Sequence, residues 1–371
     1  MTATAIGLDI RMIRNTGIGT YIRGLLESWC ETGLAHEFRL ALFGNQENHK
    51  PFASLPFFAF HSPIYSLQEQ LEYPFRLKGC ALWHAPHYNV PLLKSKTKLV
   101  VTIHDLIHWI FRKEFYTPLQ ALYAKTLLQH AVTKADHVIT VSQKTREDLI
   151  QYFDADPERI SVIAEGVHKN FRELENEQAV LSVLGKYCVP RNYFLYVGSL
   201  KPHKNVLGLI HLFRKLKEEN KLEASLVIIG KKDKRYPRGF EELTHLKTEK
   251  DLIYLPFVEE EELVAFYNGA RALVHPSLYE GFGLTLLEAM ACGAPVIACR
   301  SASVPEVVGE AAYLVDPCVE REMSDAMIRL EKVPGMREEF KRKGKLRAAR
   351  FQWSDAAKKT VAIYEKVLSN S

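Results

Sequence analysis

Short apolar runs alternate with amphipathic stretches along nearly the whole chain, and this alternation restricts the fold more than any single residue does. Strand candidates stand near residues 4–9, 38–43, 99–103, 137–141 and 160–163, and again near 193–198, 225–230, 252–255, 272–275, 295–299 and 312–315. Strands separated by helix-length segments cannot pair as hairpins; they form parallel sheets covered by helices. A polar stretch around residues 168–191, with Glu173, Glu175, Asn176, Glu177, Gln178 and Pro190, divides the two sets, although it holds a predicted helix near 177–186. We therefore expect an α/β chain of two domains, residues 1–185 and 186–350. The 371 residues, 47% hydrophobic and 25% charged, are enough to give each domain a core. In the last segment, 351–371, Ala357, Val361, Tyr364 and Leu368 recur at helical spacing, with Ile363 and Val367 widening the stripe.

Parallel sheets gather ligands beyond the carboxyl ends of their strands, and two such domains leave a cleft between those ends. One stretch there carries distinctive chemistry, Glu280-Gly281-Phe282-Gly283-Leu284-Thr285-Leu286-Leu287-Glu288. Gly281 and Gly283 let the backbone approach a ligand, and the free N–H groups of residues 283 to 285, with the helix dipole, favour a diphosphate. Gly293 and Pro295 close this helix. From Gly283 to Glu288 the axis rises roughly 7–8 Å, which suits a carboxylate reaching a ribose while phosphates sit at the helix end. Glu280 is then left for the sugar. The plainer reading of the same spacing is an electrostatic cap at Glu280 and a solvated Glu288.

Other function classes are poorly supported. A formal charge of +5 is modest at this length, and the clusters Lys231-Lys232-Asp233-Lys234-Arg235 and Lys341-Arg342-Lys343-Gly344-Lys345 read as solvated faces, so no nucleic-acid partner is expected. The six cysteines form no C-x-x-C pair, the first residues lack a basic-then-apolar leader, and no apolar run approaches the roughly 18 residues of a membrane span. A cytoplasmic protein with free thiols is expected. Asp154-Ala155-Asp156 is better read as a turn whose Asp156 caps a helix starting at Pro157 than as a metal motif. Gly17-Ile18-Gly19 lacks a third glycine, since Ile22 stands in its place. His108-Trp109-Ile110-Phe111-Arg112-Lys113-Glu114-Phe115-Tyr116 has the composition of an interfacial anchor on anionic lipid, and equally that of a segment packed under a loop.

Several motifs stand in an order that resembles glycosyltransferase family 4, the retaining, metal-independent GT-B enzymes with two Rossmann-like domains facing across a cleft. They are Gly7-Leu8-Asp9-Ile10-Arg11, Thr16-Gly17-Ile18-Gly19-Thr20-Tyr21, Val101-Thr102-Ile103-His104-Asp105, Tyr196-Val197-Gly198-Ser199-Leu200-Lys201-Pro202-His203-Lys204-Asn205 and Val274-His275-Pro276-Ser277 ahead of Glu280. The resemblance implies catalytic roles for His104, Glu280 and Lys204. His104 would be a neutral imidazole at the sugar end, and Lys204 the cation on the leaving diphosphate. It implies donor contacts from Ser199, Val258, Gly281, Phe282, Gly283, Leu284, Thr285 and Glu288, with Gly17 and Gly19 lying across the cleft. Ser199 departs from an arginine common in the family, and Thr285 from a proline. The final helix would return to the first domain. His84, His87 and His275 remain unassigned, although His87-Tyr88-Asn89 is a candidate for the acceptor side.

The resemblance implies transfer of a hexose, mannose favoured, from a nucleoside diphosphate sugar to a saccharide or lipid-linked saccharide. It implies no metal and no cofactor besides that co-substrate. A lipid-linked acceptor would place the protein at the inner face of a membrane. A nucleotide-sugar 2-epimerase and a donor-binding subunit without activity stay open as other readings.

Overall fold

The structure is a computed structural model that describes residues 5–93, 95–115, 117–232 and 250–369. It divides into two compact units, residues 1–166 with 352–371, and residues 167–351. The division falls at Gly166–Val167 rather than at the expected 185/186. Helix Glu177–Lys186 is the reason: it packs on helix Glu260–Gly269, where Lys186 pairs with Glu262 at 2.6 Å and Gly269 lies against Leu184. Of the Lys231–Arg235 cluster, residues 233–235 lie outside the described residues, as does Tyr116 of the aromatic segment.

The first unit holds a parallel sheet of seven strands, β1 (Ala5–Asp9), β2 (Leu40–Gly44), β3 (Phe57–Ala59), β4 (Cys80–Ala85), β5 (Lys98–Ile103), β6 (His137–Thr140) and β7 (Ile160–Val162), in the order β3-β2-β1-β4-β5-β6-β7. The sequence pattern does not reveal β3 or β4. β3 is short and half-exposed, and β4 carries Trp83 and His84 in a run too mixed to read as a strand. Yet β4 is central, registered on both β1 and β5. His84 is tolerated there because its ring is fully bonded, Nε2 to Thr102 Oγ1 at 2.8 Å and Nδ1 to the Tyr364 hydroxyl at 2.6 Å.

Tyr364 lies on the final helix, Trp353–Ser369, which belongs to this unit and buries Trp353, Ala357, Val361, Tyr364 and Val367, much of the expected stripe. Helix Ile18–Thr32 receives it. Gly24 makes room for the Trp353 ring, since a Cβ there would stand 2.2 Å from Cδ2, and Trp29 Nε1 donates to the carbonyl of Ala357 at 3.1 Å. A residue larger than glycine at position 24 would therefore displace the ring.

The second unit repeats the plan with β8 (Tyr193–Val197), β9 (Ser225–Ile229), β10 (Leu252–Leu255), β11 (Ala272–His275), β12 (Val296–Cys299) and β13 (Tyr313–Val315), in the order β10-β9-β8-β11-β12-β13. Its interior is aliphatic and aromatic, with Phe194, Tyr196, Leu209, Phe213, Ile228 and Ile297 in one cluster. In both sheets the strand order reverses beside the first strand, between β1 and β4 and between β8 and β11. Doubly wound sheets open a crevice at that point, beyond the carboxyl ends of the strands.

Burial makes the first unit acid-sensitive. Burial, then the neighbouring His104, pushes His84 down to about 3, and burial holds His87 well below the ordinary histidine value. Both rings stay neutral when folded but charge when unfolded. Their folded pKa values are depressed, so stability is complete above about 6.5 and is lost as the pH falls from there. Between pH 7 and pH 5 His84 alone should cost roughly 2 kcal/mol, and His87 adds in the same direction. Thermal unfolding at the two pH values should show a midpoint lower by at least roughly 5 °C at pH 5; equal midpoints would contradict this account.

Candidate functional site

Glu280 follows β11, and the polar groups around it are drawn from the two strands that flank the second switch point. Lys204 ends the short turn Pro202–Lys204 after β8, and its ammonium lies 2.5 Å from Glu280 Oε1 and 2.7 Å from Oε2. His275, the last residue of β11, adds Nε2 at 2.8 Å from Oε1. Glu280 and His275 are buried, while the Lys204 side chain keeps 20% of its surface exposed. Burial alone would raise the Glu280 carboxyl. The charge of Lys204, then that of His275, outweighs it and holds the group far below the usual carboxylate range.

The chain between β11 and the next helix is held by its own side chains and backbone. Leu278 N donates to the carbonyl of His203 at 2.8 Å, joining the two site segments. Ser303 Oγ donates to the carbonyls of Glu280 and Phe282, and Ser301 Oγ to that of Ser277. Gly283 then caps helix Leu284–Ala291 at φ 101°, a left-handed conformation that glycine adopts without strain. The helix ends as expected, with Gly293 left-handed beyond Cys292. Leu284 and Thr285 form its half-exposed first turn, and Gly281 and Phe282 are buried ahead of it. First-turn N–H groups have no partners within a helix, so this end favours an anion.

Glu288 is half-buried in that helix, and its Oε2 accepts from the Tyr267 hydroxyl at 2.9 Å. It is thus placed by a buried tyrosine, not the solvated residue of the plainer reading. Ser199 follows β8, where its carbonyl accepts from the Tyr196 hydroxyl at 3.0 Å, and Val258 is buried after β10 at the same end of the sheet.

The remaining sequence-predicted residues belong to the first unit. Gly17, at φ 69°, caps helix Ile18–Thr32, and Gly19 is buried in its first turn. His104 follows β5, with Nδ1 at 3.1 Å from Glu165 Oε1, Nε2 at 2.9 Å from the carbonyl of Pro86, and the ring edge-on to Tyr21 at 4.9 Å. Both ring nitrogens face acceptors.

Glu165 and His275 escape the sequence reading. His275 ends β11 and Glu165 follows β7, which is the signal that marks them; the partner of Glu165, His104, lies far back along the chain, whereas that of His275, Glu280, stands in the loop that follows it. The aromatic segment resolves toward packing: Trp109 packs on Phe153 with ring centroids 5.8 Å apart, and Arg112 stacks over it at 3.9 Å. Lys341 and Lys345 both pair with Glu173. Asp154 is a left-handed helix cap, while Asp156 accepts from Glu158 N, as expected. A cavity of about 260 Å³ lined by Leu77, Trp83, Pro91, Leu93 and Lys134 opens at the amino ends of β5 and β6, away from His104. Among the described residues, no group of three or more His, Cys, Asp or Glu is arranged to hold a metal, and no helix is long and apolar enough to cross a membrane.

Comparison with known proteins places this geometry. The model for "Glycosyltransferase Family 4" matches residues 15–171, and that for "Glycosyl transferases group 1" matches residues 189–347. O-antigen chain mannosyltransferase B of Escherichia coli is 30% identical over 292 residues, 76% of this chain and 74% of that protein. The serotype-specific mannosyltransferase WbdA of Escherichia coli is 27% identical over 78% of this chain, which spans only 36% of that longer protein. Among solved structures, Anabaena HepE in complex with UDP and glucose superposes with a TM-score of 0.76 at 18% identity, covering 98% of this chain and 100% of that one. Matched in both halves and 30% identical to a relative of which it covers 74%, the chain belongs to glycosyltransferase family 4 and is a glycosyltransferase with the GT-B fold.

Proposed function

We propose that the protein transfers a mannosyl group from a nucleoside diphosphate sugar, GDP-mannose in first place, to a saccharide or lipid-linked saccharide acceptor, with retention of configuration and without a metal or resident cofactor. The observation that carries this reading is the buried Glu280 carboxylate, held by Lys204 and His275 beside the N-terminus of helix Leu284–Ala291. Names of the relatives favour mannose.

Breaking the anomeric C–O bond leaves negative charge on the distal phosphate oxygen. An ammonium has three N–H donors; Lys204 directs two at Glu280, and the third suits that oxygen, with the helix amides on the rest of the diphosphate. Glu280 Oε2 has a lone pair for a sugar hydroxyl. The acceptor hydroxyl attacks on the leaving-group face and passes its proton to the departing phosphate oxygen. His104 belongs, on this reading, to the sugar end, with Glu165 fixing its ring.

Nucleotide-induced thermal shifts with GDP, UDP and ADP and their sugars, in EDTA, followed by transfer to an acceptor, test the proposal. Stabilisation by one nucleotide and acceptor-dependent turnover support it. A requirement for metal, interconversion of free nucleotide sugars, or binding without turnover would each replace it. Glu288→Ala should weaken the nucleotide about tenfold to a hundredfold while leaving kcat nearly unchanged, because a hydrogen bond to a charged partner carries about 1.5–3 kcal/mol. Titration of both proteins with the nucleotide identified above measures it, and an unchanged Kd would remove Glu288 from the ribose.

A further inference from the structure

Tyr65 is held in a left-handed backbone conformation, φ 66°, that a bulky residue rarely adopts, and a buried charge keeps it there. Its N–H donates to Glu69 Oε2 at 2.8 Å, and its carbonyl accepts from the Tyr123 hydroxyl at 3.2 Å. Glu69 is fully buried on the inward face of helix Leu67–Arg76, where Oε1 accepts from Arg11 Nη2 at 2.6 Å, Asn89 Nδ2 at 3.0 Å and the Tyr73 hydroxyl at 3.1 Å. Arg11 in turn pairs with Asp9 and lies over the Phe60 ring at 3.6 Å. A buried ion cluster adds little stability over well-packed apolar side chains, and a strained residue persists only where its surroundings over-determine it. Both observations direct attention to what Tyr65 presents.

It presents an aromatic surface at the crevice of the first sheet. Asp9 ends β1, and residues 86–89 follow β4, the two strands that flank the switch point. The Tyr65 ring stacks on Tyr88 with centroids 5.8 Å apart and lies edge-on to His87 at 6.0 Å. Tyr88 meets His87 at 3.9 Å, and its hydroxyl lies 3.3 Å from His108 Nδ1. Tyr88 is buried, whereas Tyr65 keeps 38% of its surface exposed. The Tyr65 hydroxyl is bonded to that of Tyr88, so the exposed part is mostly ring. One residue before His87, the Pro86 carbonyl faces His104 Nε2 at 2.9 Å.

The chemistry of this surface selects its ligand. The groups acting on Tyr65 are Tyr88, Tyr123 and Glu69, and Arg11 neutralises Glu69, so the ring offers no charge to a phosphate or a carboxylate. An uncharged aromatic face beside imidazoles suits a molecule with both a C–H face and hydroxyls, which is a sugar ring. We propose that Tyr65 recognises the acceptor, its ring stacking on the C–H face of the sugar that receives the transferred group, with Glu69 and Arg11 as positioning residues. This rests on the proposed transfer for the reaction itself, and adds that the recognised part of the acceptor is a neutral saccharide unit rather than its lipid or an anionic group.

Saturation-transfer NMR with methyl α-mannopyranoside, methyl α-glucopyranoside and methyl N-acetyl-β-glucosaminide, each beside the nucleotide that stabilises the protein, is the test. The wild type should pass saturation to the ring C–H protons of at least one glycoside. Tyr65→Gly, in which glycine adopts φ 66° without strain, should bind that glycoside about tenfold more weakly, and Tyr65→Phe should bind it as the wild type does. A merely structural tyrosine would lower the melting temperature of Tyr65→Gly and leave glycoside affinity unchanged, which overturns the proposal. So does a wild type that binds none of the three, or a loss in Tyr65→Phe equal to that in Tyr65→Gly. Both variants should keep the nucleotide-induced thermal shift, and its absence in the wild type would mark failure of the donor-site reading instead.

Discussion

Lys204→Ala is expected to lower kcat by about 10²–10³, the usual loss when one donor aimed at developing negative charge is removed. On the proposed metal-free reading, the ammonium is the concentrated positive charge nearest the leaving phosphate, and amides alone supply partial charges. The variant should also change the pH behaviour of Glu280. Burial raises that carboxyl, and Lys204 is the largest influence holding it down. In the wild type the folded value is depressed, so the stability it contributes is complete above the ordinary carboxylate value and is lost only as the pH falls through the folded value. In the variant the folded value is less depressed, so the carboxylate contributes less stability at neutral pH, and the acid limb of activity moves to higher pH. Steady-state kinetics across pH check both effects. An unchanged kcat with an unchanged acid limb would show that Lys204 is a structural lysine.

Glu280→Ala should be the more damaging change to the fold. It leaves Lys204 beside His275 with no anion between them, and removing one partner of a buried ion pair costs about 3 kcal/mol or more. Lys204 retains some contact with water, which favours the lower end. Turnover should fall about a hundredfold as the sugar contact is lost. Glu280→Gln separates the two effects, because the amide keeps the size of the side chain and an acceptor for one cation but not the charge. Thermal unfolding with kcat for both variants measures this. Wild-type stability in Glu280→Ala would mean that the cluster does not hold together as described.

Much of the fold was readable from periodicity, since buried parallel strands are short apolar runs and eleven such runs fall on observed strands. The failures have local causes. β4 went unread because His84 breaks its apolar character, and only Thr102 and Tyr364, distant in sequence, make that histidine acceptable in a core. The domain limit moved because helix Glu177–Lys186 looks like a linker until its partner, Glu260–Gly269, is known.

In the site, Gly283 and the helix it opens were legible because a glycine before an apolar run has a local meaning. The pairing of Glu280 with Lys204 was not, since the two are joined by adjacency of β8 and β11 rather than by spacing. His275 was passed over as one of 14 histidines, and its role is visible only through the 2.8 Å contact with Glu280. The first case follows from doubly wound topology, which brings the ends of non-consecutive strands together, whereas His275 meets Glu280 within the connection that follows its own strand.

Isothermal titration of the wild type and Lys204→Ala with GDP and with UDP, in EDTA, bears most directly on the claim that this lysine and the amide-rich helix end hold a diphosphate without metal. The account predicts saturable binding of one nucleotide by the wild type and binding weaker by about tenfold to a hundredfold in the variant. Equal affinities for the two proteins, or binding that appears only when a divalent cation is added, would contradict it.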